Sequence, residues 1–370
     1  MVDPLSVRTI TAVPPVQPAR LHDGRPVLEP NPQNAWESRV VLNPAAVLIT
    51  EPEEWAWLAD RWALAPEKRR RIEAAGGVVV LLYRAQGAFD PERNHAPSRL
   101  GLALMTPTLE LIHRFPYPVI DAAADFHNLG VEDPRCTRVG DTFYLFYTGY
   151  YTEAPGDPEA ERAVQICLAS TQDFLEWTLH GPLEGNLNRV DNKNAALFPE
   201  PVDGRWLLLH RPMAGPDAMT IHLAEAEAVT GPWHTRGMLM PSYPYREFAR
   251  SWIGAGGPPI AIGNERFLMI YHQGHYTREG MREYDLAAAL LDFSRREAPV
   301  VGRIEPLMRP VADGERHGDP ELGVDNVLFT CAGYVWEGQV IIPYAGADSR
   351  IFGASVPLEP LVQALEQRSA

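Results

Sequence analysis

The chain has 370 residues, 45% of them apolar and 22% charged, which is the composition of an ordinary soluble globular protein with room for one large domain or two smaller ones. A formal net charge of −15 argues against a nucleic-acid partner, since a phosphate backbone demands a basic surface, but it leaves room for a local basic pocket around a small anion. No stretch approaches the roughly 18 apolar residues of a membrane span, so no membrane partner is expected.

Residues 1–30 carry Pro4, Pro14, Pro15, Pro18, Pro26 and Pro30 with little periodicity. They predict an extended arm packed on the domain surface or on a neighbouring subunit, a route to a homo-oligomer. The stretch from Glu51 to Ala75 has the clearest helical pattern in the first half, and its basic run Lys68-Arg69-Arg70-Arg71 reads as a solvated helix face. Leu361 and Leu365 share a face in a second helix expected at Leu358–Gln367, within a terminal segment of residues 356–370. The three cysteines, Cys136, Cys167 and Cys331, lie far apart in apolar contexts with no metal-ligand spacing, so buried reduced thiols are expected. With no basic segment and apolar run at the N-terminus, the expected location is cytoplasmic.

Residues 31–355 read as a single all-β domain punctuated by many of the chain's 35 prolines and 29 glycines. A unit recurs: a segment that usually carries proline, a glycine-centred turn, then an aromatic or aliphatic strand. Its turn glycines are Gly77, Gly140, Gly204, Gly263 and Gly338, spaced by 63, 64, 59 and 75 residues. Near-constant spacing of five such hairpins predicts radial repetition, a five-bladed β-propeller with an N-terminal extended arm and short peripheral helices. Two stacked sandwiches would not repeat this punctuation. Asn43, Asp133 and Lys193 fall at equivalent places in their units, as do the His/Arg and Tyr/His pairs that end two hairpins, so they are expected to converge on one pocket.

The most informative stretch is Glu132-Asp133-Pro134-Arg135, just ahead of an aromatic strand. Proline biases Asp133 towards extended backbone and away from a helix. A carboxylate on rigid backbone among tyrosines suits sugar chemistry, which needs an acid and flat faces for pyranose rings. The plainer reading is a turn that Asp133 caps and Arg135 neutralises.

The ordered series Tyr83-Arg84, Ser98-Arg99-Leu100-Gly101, Val131–Arg135, Lys193-Asn194-Ala195-Ala196-Leu197-Phe198-Pro199-Glu200, His210-Arg211-Pro212, Trp252–Pro259, Tyr271-His272, Tyr284–Leu291 and Tyr344–Asp348 resembles glycoside hydrolase family 130, the β-mannoside phosphorylases and related mannosidases, which are five-bladed propellers. The resemblance implies that Asp133 is the general acid, with its proton passing through a sugar hydroxyl. It implies that Lys193, Arg211 and His272 hold phosphate, and that Asn43, Arg84, Arg99 and Asp348 contact the mannosyl unit. Tyr271, with Tyr150, Tyr151 and Trp252, is a candidate stacking face for the acceptor sugar.

Glycoside cleavage needs protonation of the leaving oxygen and attack on an oxocarbenium-like centre. An inverting hydrolase needs a second carboxylate to activate water, whereas a phosphorylase needs a cationic cradle for an anion that is already a nucleophile. Lys193, His210, Arg211 and His272 point to the second. The expected activity is an inverting phosphorylase that cleaves a β-mannoside with inorganic phosphate as co-substrate, gives α-mannose 1-phosphate, and uses no metal or organic cofactor. The alternatives are an inverting β-mannosidase, with Glu132, Glu321 and Asp325 as further carboxylates, and a non-catalytic sugar-binding propeller. Structural readings stand beside these. Lys193 can be a solvated loop lysine, Arg99 can pair with Asp133 or Glu132, and Asp348 can pair with Arg350 or another nearby arginine. The helical insertion and the segment at His317–Glu321 depart from the family pattern and leave acceptor specificity open.

Overall fold

In the computed structural model, which describes residues 7–9, 14–215 and 217–368, apolar strands fold back on their chain neighbours as antiparallel meanders. A short strand β1 (Ala19–Arg20) precedes them. The first meander holds β2 (Val40–Ile49), β3 (Val78–Gln86), β4 (Ser98–Met105) and β5 (Leu111–Arg114). The second holds β6 (Gly130–Val139), β7 (Thr142–Thr152), β8 (Arg162–Thr171) and β9 (Thr178–Pro182). The third holds β10 (Asn192–Leu197), β11 (Trp206–Pro212), β12 (Ile221–Ala226) and β13 (His234–Met240). The fourth comprises β14 (Arg250–Ala255), β15 (Ile260–Gly263), β16 (Arg266–Tyr276), β17 (Arg282–Asp292) and β18 (Val300–Met308). The fifth comprises β19 (Leu328–Phe329), β20 (Tyr334–Trp336), β21 (Gln339–Gly346) and β22 (Arg350–Pro357).

The first two meanders form one eight-stranded sheet, but only the parallel bridge between Ser98 and Gly130 joins them. The other three are separate sheets. Each neighbouring pair shares an apolar core. Val131 and Leu145 pack with Leu100 and Val80, Phe146 and Leu168 with Leu197 and Leu208, and Leu209 and Met240 with Ile253 and Phe267. Leu290 and Ile304 then pack with Ile342 and Val356, and Tyr334 and Ile351 with Val79 and Leu81. The last pairing brings the fifth meander against the first, so the succession closes on itself. The Cys331 N–H donates to Pro44 O across the same junction.

The arm takes part in this closure. Ala19 pairs with Ser355 and Arg20 with Ala354, so β1 becomes an outer strand beside β22. Arg20 donates from Nε and Nη2 to the two carboxylate oxygens of Glu315, at 2.7 and 2.8 Å. Of the arm prolines, Pro4 lies outside the described residues.

The helical stretch at Glu51–Ala75 is two helices, α1 (Pro52–Arg61) and α2 (Pro66–Ala74). Proline opens each of them, and at a first turn it costs no hydrogen bond. Pro66 therefore starts a new helix where the periodicity alone reads as one. Leu58 and Ile72 are buried on the first and second meanders, while Arg70 and Arg71 stay exposed. Beyond α3 (Asp313–Arg316), α4 (Leu358–Glu366) lays Leu361 and Leu365 on the fourth and fifth meanders. Cys136, Cys167 and Cys331 are free and buried. Among the described residues no helix is long and apolar enough to cross a membrane.

Candidate active site

The first strand of each of the first three meanders carries a bulge at the same place. Pairing with the next strand slips between Leu42 and Ala45, between Glu132 and Arg135, and between Lys193 and Ala196. The slipped segments hold Asn43, Asp133 and Asn194, with φ of 48°, 51° and 60°. Asn and Asp tolerate this left-handed backbone better than other side-chain-bearing residues. A bulge re-aims a side chain out of the strand alternation. Asp133 is off any helix, as expected, but its backbone is left-handed rather than simply extended. The matching partner of Asn43 and Asp133 is Asn194, not Lys193, which sits one residue earlier at the place of Leu42 and Glu132.

These side chains meet at a cavity of about 460 Å³ to which all five meanders contribute. Asn43, Arg84, Glu132, Asp133, Lys193, Asn194, Arg211 and Asp348 line it, with His95, Tyr150, Arg282, Tyr284 and Phe329. Asn43 Nδ2 donates to Asp133 Oδ1 at 2.7 Å, and Arg84 Nη1 donates to the same oxygen at 3.3 Å. Arg84 also pairs through Nη2 with Glu132 Oε1 at 2.7 Å, and Lys193 Nζ lies 3.4 Å from Glu132 Oε2. Burial lifts the Asp133 carboxyl, but Arg84, then Lys193 and Arg135, together with the Asn43 hydrogen bond, outweigh it and hold the group below its ordinary value. Burial pushes the Asp348 carboxyl up to about 6, against the pull of Arg84 and with the push of Asp133.

Arg211 also lines the cavity. Arg211 is 6% exposed, its Nε has no hydrogen-bond partner, and no carboxylate pairs with it among the described residues. Burial lowers its affinity for the proton, although a guanidinium stays charged in a protein. Asn194 Nδ2 lies 3.0 Å and Arg211 Nη1 3.5 Å from His272 Nε2. Burial, then the charges of Arg211 and Arg135, push His272 well below its ordinary value. His272 thus stands behind Arg211 with Nε2 facing two donors, an arrangement that favours the neutral imidazole over a third cation. Gly254 makes room for this cluster: a Cβ there would stand 2.2 Å from Asn194 Nδ2, 2.5 Å from His272 Nε2 and 2.8 Å from Arg211 Nη1.

Other expected contacts fall elsewhere. Arg99 does not line the cavity, and its Nε donates to Asp121 Oδ1 at 2.6 Å rather than to Asp133 or Glu132. The reason is strand alternation: Arg99 stands opposite Ala85, and Arg84 opposite Leu100, so the two arginines face opposite sides of the sheet. Tyr271 is also turned away. His272, its neighbour on β16, faces the cavity cluster, while the Tyr271 hydroxyl binds Glu305 and Arg303 in the core. Trp252 is buried against Tyr276 and Tyr284. Arg135 does not neutralise the Asp133 carboxylate by contact. Its guanidinium donates to the carbonyls of Asp133, Ala255 and Gly256 and so ties β6 to β14. Arg350 pairs with Glu29, not Asp348. Glu321 pairs with Arg39, and Asp325 accepts from the Gly318 N–H.

Asn194, Tyr284, Arg282, Phe329 and His95 line the cavity without having been singled out for it. The signal for Asn194 was present in its offset from Asn43 and Asp133, but Ala195 replaces the proline that follows the other two. Among the described residues no group of three His, Cys, Asp or Glu side chains is placed to hold a metal.

A buried acid and a buried cation that no carboxylate pairs with among the described residues line one cavity, an arrangement suited to a polar ligand with an anionic companion. A family model described as beta-1,4-mannooligosaccharide phosphorylase (Glyco_hydro_130) matches residues 71–367. The chain belongs to glycoside hydrolase family 130. It is 29% identical to a 1,2-beta-oligomannan phosphorylase of Thermoanaerobacter sp. (strain X514) over 90% of this chain and 94% of that protein. It is 26% identical to a beta-1,2-mannobiose phosphorylase of the same organism, over 90% and 96% of the two chains. The structure of beta-1,2-mannobiose phosphorylase from Listeria innocua superposes with a TM-score of 0.70 at 20% identity, covering 95% of this chain and 99% of that one.

Proposed function

We propose that this protein is an inverting glycoside phosphorylase that cleaves a β-mannoside with inorganic phosphate, and that its five meanders are the blades of a five-bladed β-propeller around the cavity. The observation that carries this reading is Arg211: buried, paired with no carboxylate among the described residues, and at the cavity wall. Burying such a charge is costly unless an anion completes it. Lys193 supplies a second positive charge, and Asn194 and neutral His272 position the Arg211 guanidinium. A hydrolase would need a carboxylate free to activate water; Glu132 is instead held by Arg84 and Lys193, and none of the described carboxylates contacts Arg211.

Asn43, Arg84 and Asp348 hold the mannosyl unit beside Asp133. A phosphate oxygen attacks the anomeric carbon from the Arg211 side as the bond to the bridging oxygen breaks. The leaving oxygen gains a proton from Asp133, relayed by a sugar hydroxyl, and the products are α-mannose 1-phosphate and the shortened acceptor. In the empty site the cations keep Asp133 ionised. Phosphate offsets the charges of Lys193 and Arg211, and the sugar displaces water, so both raise the affinity of Asp133 for a proton. The acid is thereby loaded when both substrates are in place. Two relatives that span nine-tenths of the chain carry β-1,2 names, which favours a β-1,2-linked mannoside as the first substrate to test.

The test is the initial rate of β-1,2-mannobiose cleavage against phosphate concentration. A hyperbolic rise from a negligible rate is expected, with the phosphate KM raised at least tenfold in Arg211→Ala, in line with loss of a charged hydrogen bond. A rate independent of phosphate would establish a hydrolase instead.

A further inference from the structure

His95 stands at the cavity, beside Tyr150 of the second meander. Its ring meets the Tyr150 ring edge-on, with centroids 5.3 Å apart and an interplanar angle of 82°. Its Nε2 is buried and has no hydrogen-bond partner among the described residues. A buried polar atom without a partner is costly unless a ligand or water completes it. The segment that carries it is fixed in place. The backbones of Asp90 and His95 exchange two hydrogen bonds, Gln86 Nε2 donates to Ala96 O at 2.6 Å, and Arg162 Nη2 donates to Asn94 O at 3.1 Å. A lone surface histidine needs no such support. The arrangement is a pre-positioned polar atom beside the edge of Tyr150, the ring that the sequence offers as a stacking face for the acceptor sugar.

We propose that His95 is a specificity-determining residue that hydrogen-bonds a hydroxyl of the leaving sugar through Nε2, with Tyr150 as the apolar wall beside it. The proposal rests on the phosphorylase reading above and deepens it by naming the acceptor subsite. The relevant chemistry is a neutral pyranose hydroxyl. Burial, partly offset by Glu132, lowers the imidazole's proton affinity, so it meets that hydroxyl uncharged.

The test runs the reaction in the synthetic direction, with α-mannose 1-phosphate as donor and mannose as acceptor. His95→Phe keeps the ring packing on Tyr150 and removes the polar atom. His95→Gln keeps a polar atom near the Nε2 position. For His95→Phe the acceptor KM is expected to rise about tenfold while the donor KM stays within about twofold, and His95→Gln to recover most of the loss, as the removal and replacement of one buried hydrogen bond require. An unchanged acceptor KM in His95→Phe, or a parallel rise of both KM values in both variants, overturns the proposal. If the parent protein makes no product from the sugar phosphate, the phosphorylase reading fails by itself. Calorimetric titration of β-1,2-mannobiose into Asp133→Asn, with and without His95→Phe, then decides the role of His95: weaker binding in the double variant supports it, and equal affinity overturns it.

Discussion

In the proposed reaction Asp133 is the general acid, and its environment separates two roles that a carboxylate can play. Its contacts with Asn43 and Arg84, both through Oδ1, fix its position at the cavity. Asp133→Asn keeps the shape and the Asn43 side of the contact but cannot supply a proton. It should lower kcat by about 10²–10⁴-fold with little change in the KM for phosphate, the scale expected of a general acid. Steady-state kinetics at fixed pH checks this, and parent-like turnover would remove Asp133 from the mechanism. Asp348 titrates differently. Because burial pushes its carboxyl up to about 6, it keeps its proton below that pH and becomes a charged acceptor above it. If the ionised form holds sugar hydroxyls, kcat/KM at saturating phosphate rises with pH through a limb near 6. Asp348→Asn should remove that limb, and a limb unchanged in the variant would place the titrating group elsewhere.

At the scale of the element, the bulge repeated in β2, β6 and β10 turns a strand into a site. Much of this was legible in the sequence, because Asn43-Pro44 and Asp133-Pro134 announce an interruption in an otherwise apolar strand. Asn194 escaped notice because Ala195 follows it, although its left-handed φ of 60° matches the other two. Arg99 and Tyr271 were misplaced for one shared reason. A motif names neighbouring residues together, while strand alternation sends adjacent positions to opposite faces. Side-chain direction depends on register, and register was not readable before the bulges were located. The charge of His272 was hidden likewise, since its burial beside Arg211 is a tertiary fact. The Trp252–Gly254 stretch shows what a missing side chain contributes. Gly254→Ala pushes a methyl into Asn194, His272 and Arg211, so it should raise the phosphate KM by about tenfold or more and cost about 1–3 kcal/mol of stability by overpacking. Phosphate kinetics with urea unfolding tests both, and an unaltered phosphate KM would show that the cluster can be rearranged without loss.

For the whole molecule, the near-regular glycine spacing predicts five similar units, and the chain is all-β with an apolar core between each pair of successive meanders. The sequence could not foretell how the ends meet. β1 lies beside β22, and Arg20 reaches Glu315, a fully buried carboxylate that also accepts from Tyr344. These are contacts between residues almost 300 positions apart, outside any local pattern. Arg20→Ala removes two of the donors to Glu315 and should cost about 1–3 kcal/mol, read as a lower urea midpoint, with kinetic constants preserved because the contact is remote from the cavity. An unchanged midpoint would mean that the arm packs without contributing to stability.

In the proposed reaction the cavity brings an anion, rather than water, to the face of the sugar opposite the leaving oxygen. Phosphorus-31 NMR of the protein with β-1,2-mannobiose and inorganic phosphate tests it most directly. The account predicts an α-glycosyl phosphate signal that grows in step with released mannose while the phosphate signal falls by the same amount. Mannose accumulating while the phosphate signal stays constant would contradict it.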